Sequence, residues 1–77
     1  MPLSYVLISV ELGSDDKVLN EVRKVPNVNE CHRVYGAYDI TAKVEADSMD
    51  KLKEIITRKI RGLDKVRSTL TMIVIEG

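Results

Sequence analysis

A glycine and an aspartate three positions apart, Gly36 and Asp39, sit near the middle of the 77-residue chain, inside Val34-Tyr35-Gly36-Ala37-Tyr38-Asp39-Ile40. Between two strand-like runs this spacing reads as a turn that carries exposed backbone amides and one carboxylate. Such amides can hold a carboxylate ligand, because glycine lets the backbone approach closely. Asp39 can accept hydrogen bonds from an ammonium group, and the hydroxyls of Ser68, Thr69 and Thr71 can complete a polar shell. Donors and acceptors set one small molecule apart are what a free α-amino acid requires. The plainer reading is a hairpin in which Asp39 satisfies its own loop amides, the threonines are good strand formers, and Tyr35 and Tyr38 pack or lie at an interface.

The other reactive side chains offer less. Cys31 has no second cysteine for a disulfide or for a CxxC motif. As a nucleophile it would want a base, and the adjacent His32 points to the opposite side of a strand. No second histidine exists to join His32 in binding a metal, so neither a metal nor a cofactor is expected. Arg67 and Lys65 read first as solvated charges.

Six further segments must position the turn. From Ser4 to Leu12 the apolar residues Val6, Ile8 and Val10 alternate with Tyr5, Leu7, Ser9 and Glu11, the period of a strand. Gly13 breaks the run, and Ser14-Asp15-Asp16 supplies a cap and two carboxylates at the positive end of a helix. That helix carries Val18, Leu19, Val22 and Val25 on one stripe and stops before Pro26 and Asn27. A more polar strand runs from Val28 to Tyr35. After the turn, Ile40, Ala42 and Val44 alternate with Thr41, Lys43 and Glu45, giving its hairpin partner. Asp47-Ser48 caps a second helix with Leu52, Ile55, Ile56, Ile60 and Leu63 inward, and Gly62 is placed to end it. The last strand runs from Val66 to Ile75, with Val66, Ser68, Leu70, Met72 and Val74 on one face and Arg67, Thr69, Thr71, Ile73 and Ile75 on the other.

Order and handedness then select a topology. A βαββαβ repeat with right-handed crossovers fits the strand order 4-1-3-2 with both helices on one face, the ferredoxin-like α+β plait with an antiparallel four-stranded sheet. Residues 1–77 form one domain, with no linker or low-complexity tract. The open face is expected to carry Tyr5, Leu7, Tyr35, Ile73 and Ile75, too much apolar surface for a small monomer. The same face of a second copy is the expected cover.

Composition narrows the function further. Twelve basic residues balance twelve acidic ones, which argues against a nucleic-acid binder of this size. No apolar run reaches membrane-spanning length and the start lacks a signal-peptide pattern, so a reducing, cytoplasmic setting is expected. The absence of Trp, Phe and Gln beside abundant Lys, Glu and Arg fits a thermophilic source.

The run Val28-Asn29-Glu30-Cys31, the turn from Val34 to Ile40, Leu52 to Ile60, and Val66-Arg67-Ser68-Thr69-Leu70-Thr71-Met72-Ile73-Val74 together resemble the effector-binding (RAM) domain of the Lrp/AsnC transcriptional regulators. Its most specific parts are the GxYD turn and the closing VRSTLTMIVI, and the likeness covers essentially the whole chain. The resemblance implies a domain that dimerises through its sheet, assembles dimers into rings, typically octamers, and binds an amino-acid effector between dimers. The matching site residues are Gly36, Ala37, Tyr38 and Asp39 near the turn, with Ser68, Thr69 and Thr71 on the last strand. No segment before the first strand could form a DNA-binding helix-turn-helix, so the chain resembles a stand-alone effector domain acting through a full-length Lrp/AsnC regulator and not on DNA directly. An ACT-like allosteric domain shares the order of elements and is the nearest structural alternative. A small plait enzyme is opposed by Gly13-Ser14-Asp15-Asp16, where acylphosphatase-like chemistry would want arginine, and by the lone histidine. An RNA-binding sheet would want aromatic residues among basic ones on the central strands. The expected protein is therefore not an enzyme.

Overall fold

The computed structural model describes residues 1–77 and contains strands β1 (Leu3–Val10), β2 (Val28–Arg33), β3 (Ile40–Glu45) and β4 (Val66–Ile73). Helix α1 spans Asp15–Arg23 and α2 spans Met49–Ile55, continued by a π-helical turn over Ile56–Ile60. The strands form one sheet in the order β2-β3-β1-β4, every neighbouring pair antiparallel. This is the ferredoxin-like plait expected from the repeat. Because β1 and β2 both run antiparallel to β3, their C-terminal ends emerge together, alongside the N-terminal ends of β3 and β4.

Alternation in the sequence becomes burial. Val6, Ile8 and Val10 of β1, Ile40, Ala42 and Val44 of β3, and Cys31 of β2 are buried beneath the helices. Val18, Leu19 and Val22 of α1 and Leu52, Ile55, Ile56 and Ile60 of the second helical segment close over them. Each such side chain contributes roughly 1.5–3 kcal/mol when fully removed from water. Ser48 caps α2 as its sequence implies, its Oγ accepting from the Lys51 N–H at 3.1 Å. Ser14 makes no equivalent side-chain bond, so α1 relies on Asp15 and Asp16 in its positive first turn.

The end of the second helix departs from expectation. The Arg61 N–H reaches back five residues to the Ile56 carbonyl at 2.9 Å, a π turn that keeps Ile56 and Ile60 both buried. Gly62 is not a left-handed cap; a Cβ there would stand 2.8 Å from the Arg58 carbonyl oxygen, so close approach excludes a larger residue. The left-handed residue is Lys65, at φ 76°.

Strand ends are also shorter than the apolar patterns suggest. Beyond Val10 the Glu11 N–H turns to the Lys65 carbonyl at 2.9 Å, and Leu12 is fully exposed. Val34 and Tyr35 leave β2 for the turn, and β4 ends at Ile73.

The facing of β4 requires a correction. Ser9 pairs with Ser68 while Val10 pairs with Val66, so Arg67 is an extra residue, a β-bulge. The bulge brings Val66 against the core and sets the following residues in the opposite phase. Leu70 and Met72 lie opposite Leu7 and Tyr5 on the open face, whereas Ile73 lies opposite the buried Ser4 on the helix-bearing face. Tyr35 and Ile75 project beyond the strands and are exposed. The apolar part of the open face is therefore Tyr5, Leu7, Leu70 and Met72.

The Ser4 hydroxyl is buried without a hydrogen-bond partner. Ser4→Ala removes an unsatisfied polar group at little cost in volume, so chemical denaturation should show a neutral to stabilising effect of up to about 1 kcal/mol. Ile8→Ala, which opens the centre of the core, should cost about 2–5 kcal/mol in the same measurement.

Candidate functional site

Parallel β1 and β2 deliver their following loops to one end of the sheet, where the turn into β4 also arrives. The turn over residues 34–39 closes when the Val34 N–H donates to the Asp39 carbonyl at 2.9 Å. Asp39 is fastened to β1 twice: its N–H donates to the Ile8 carbonyl at 2.9 Å, and its Oδ2 accepts from the Val10 N–H at 2.9 Å. The carboxylate thus satisfies an amide 29 positions away, not one in its own loop. Its Oδ1 has no partner in the protein.

Around this anchor Asp15, Arg33, Val34, Tyr35, Gly36 and Asp39 line a concavity of about 480 Å³. Arg33 leaves the end of β2, and its guanidinium donates to Asp16 at the start of α1. Gly36 holds φ 158°, and a Cβ there would meet nothing within 4 Å, so backbone conformation and not packing favours glycine. The concavity is thus lined by one basic and two acidic residues, Arg33 with Asp15 and Asp39.

The residues expected to bind ligand are only partly gathered. Gly36 and Asp39 line this concavity; Ala37 and Tyr38 belong to the same loop but not to its wall. Ser68 and Thr69 line a second hollow of about 290 Å³ with Arg61, Val66 and Arg67. Ser68 shares the face of Ser9, Thr69 and Thr71 the opposite face, and Thr71 is exposed and lines neither space. Arg33 and Asp15 were not among the expected site residues. Their signal was topological: the strand order puts the C-terminal ends of β1 and β2 at the same end of the sheet, on either side of the start of β3.

Cys31 is buried, with the Arg23 Nη2 donating to its carbonyl at 3.0 Å. Burial pushes the thiol above its ordinary 9.0, and the Arg23 charge opposes that rise. No group of three or more His, Cys, Asp or Glu side chains is arranged to hold a metal ion.

A family model described as the Lrp/AsnC ligand binding domain matches residues 3–77. The chain belongs to this family. Among curated relatives, the proline dehydrogenase transcriptional activator of Rhizobium radiobacter is 35% identical over 66 residues, which cover 80% of this chain and 42% of that protein. The chain thus spans about half the length, or less, of the curated Lrp/AsnC-type regulators it matches. Among solved structures, FFRP-DM1 superposes with a TM-score of 0.94 at 36% identity, covering 97% of this chain and 100% of that one. A Neisseria meningitidis regulator solved as an L-Met complex shares the Lrp/AsnC fold at a TM-score of 0.83 and 17% identity, over 97% of this chain and 50% of that one. A homocitrate synthase of Sulfurisphaera tokodaii is 38% identical over 73 residues, 91% of this chain but 16% of that enzyme. No helix is long and apolar enough to cross a membrane.

Asp39→Ala should destabilise the domain by about 1–3 kcal/mol by stranding the Val10 amide, whereas Asp39→Asn, which keeps an acceptor oxygen, should cost less than half as much by urea titration. Cys31 gives a pH dependence of defined sign. A thiol whose folded value is raised contributes stability that is intact below the unfolded value of 9.0 and is lost as pH climbs above it. Cys31→Ala should flatten that alkaline decline, measured as urea midpoints from pH 7 to 10.5.

Proposed function

We propose that this chain is an amino-acid-binding and oligomerisation module that adjusts transcription through a partner regulator of the Lrp/AsnC family. The single observation that carries the reading is the concavity in which Arg33 stands beside Asp15 and Asp39. An α-carboxylate would pair with Arg33 and the loop amides at Gly36; an α-ammonium would pair with Asp15 and the free Oδ1 of Asp39. Tyr38 and Ala37 shape the loop that presents these groups. The Neisseria meningitidis regulator's L-Met complex supports the ligand class.

Self-association follows from the open face. Tyr5 is 39% exposed and Leu70 and Met72 are each 46% exposed, with Leu7 between them. A second copy applied to this face would cover them, and dimers assembling into a ring would bring neighbouring protomers to the loop end, where last-strand hydroxyls such as Thr71 could join the site. The module would work in the cytoplasm beside its regulator.

A second reading has one observation in its favour. The match inside a homocitrate synthase supports an ACT-like role, in which the same amino-acid site governs a catalytic partner.

Calorimetric titration of the purified protein against the twenty amino acids should give saturable heat for at least one, and Arg33→Ala should weaken it about tenfold or more. Silence toward all twenty from an intact oligomer sinks the sensing role. Leu70→Glu should reduce the solution mass toward the 8.7 kDa protomer in light scattering; an unchanged mass would mean that another surface holds the copies together.

A further inference from the structure

The second hollow at this end of the sheet differs in chemistry from the first. Arg61, Val66, Arg67, Ser68 and Thr69 line about 290 Å³, with two guanidinium groups, two hydroxyls and no carboxylate. Neither Arg61 nor Arg67 takes part in any of the protein's ion pairs or side-chain hydrogen bonds. The cation between them in sequence, Lys65, is drawn to Glu11 at 3.8 Å, and Asp64 pairs with neither arginine. Over residues 51–67 seven cations face two carboxylates in a chain whose net charge is zero. Two arginines without ion-pair partners thus line one hollow.

Backbone geometry points the same way. Arg67 is the extra residue of the β-bulge, and it follows Lys65, a non-glycine in the left-handed region at φ 76°. That conformation costs roughly 1–2 kcal/mol, and bulges of this kind redirect a side chain out of the strand's regular alternation. Since β4 is the outer strand, alternate amides also turn away from β1 as free donors.

We propose that this hollow binds the phosphate group of a small phosphorylated ligand, a phosphomonoester dianion. Two guanidinium forks match its two charges, and the Thr69 hydroxyl, on the helix-bearing face with Val66, serves a remaining oxygen. A monocarboxylate would leave one arginine uncompensated, and a nucleic-acid phosphodiester carries a single charge per group. Asp39 bonds to Val10, and Val10 pairs with Val66, so the two hollows lie about two strand spacings, roughly 10 Å, apart. An amino acid cannot occupy both, and the phosphate site stands whether or not the first hollow binds one.

The test combines arginine modification with calorimetry on the intact protein. Phenylglyoxal labelling read by mass spectrometry should show that inorganic phosphate and adenosine 5′-monophosphate protect Arg61 and Arg67 but not Arg33 or Arg58. Adenosine 5′-monophosphate should bind saturably by calorimetry, with Arg61→Ala and Arg67→Ala each weakening it at least about tenfold and Lys53→Ala leaving it unchanged. Should Arg67→Ala fail to fold, Arg61→Ala and the native protection pattern decide the matter. Equal protection by chloride at matched ionic strength overturns the proposal, as does binding of a single-stranded oligonucleotide without binding of the mononucleotide.

Discussion

The loop end of this domain is held in place by the C-terminal end of β1 and the residue that follows it. Strand β1 pairs with β3 on one side and β4 on the other, and just where that pairing runs out its polar groups are taken up by side chain and loop. Ile8 gives its carbonyl to the Asp39 N–H, Val10 gives its N–H to the Asp39 carboxylate, and Glu11 gives its N–H to the Lys65 carbonyl. Without these three bonds the two loops flanking β1 would have no fixed relation to each other or to the sheet. A buried donor left unpaired costs on the order of 1–3 kcal/mol, so the arrangement is enforced by the need to satisfy backbone as much as by packing.

This constraint leaves Asp39 compatible with both of the roles that sequence alone presents as rivals. As a turn residue it is expected to satisfy amides; as a ligand residue it is expected to offer a free oxygen. The geometry divides the carboxylate between them, Oδ2 to Val10 and Oδ1 open. A carboxylate fixed through one oxygen presents the other with little rotamer freedom left to lose, which favours binding of an ammonium group by preorganisation.

What could be read from the chain beforehand follows the range of the physical signal. Periodicity and crossover handedness are local and repeated, so the plait, the strand order and the core of Val6, Ile8, Ile40, Leu52 and Ile60 were legible. The β4 phase was not, because a single inserted residue, Arg67, inverts the alternation and nothing in its type marks it as a bulge. The π turn over Ile56–Ile60 was hidden for the same reason: two adjacent isoleucines fit an ordinary helix almost as well. At the candidate site, Gly36 and Asp39 were legible as turn residues, but Arg33 and Asp15 come to line the same concavity only through the three-dimensional order of the strands. Ser68 falls on the opposite face of the sheet from Thr69 and Thr71, as the alternation of the last strand implies, and Thr71 lines neither hollow.

One consequence concerns how a ligand at the loop end could alter assembly. Binding shifts an equilibrium only through interactions that differ between its two states. Here the same strands serve both surfaces: β1 carries Tyr5 and Leu7 on the open face and ends at the Asp39 anchor, while β4 carries Leu70 and Met72 and begins at the Arg67 bulge. A ligand pulling on Asp39 Oδ1 or on Arg67 would act on the ends of the strands that carry those four apolar side chains. Close-packed faces tolerate such shifts poorly, so a displacement of a few tenths of an ångström at the loop end is felt where a second copy would dock. Such coupling would need no separate hinge, because β1 and β4 run from the loop end to the open face and the Asp39 side chain is bonded directly to the end of β1.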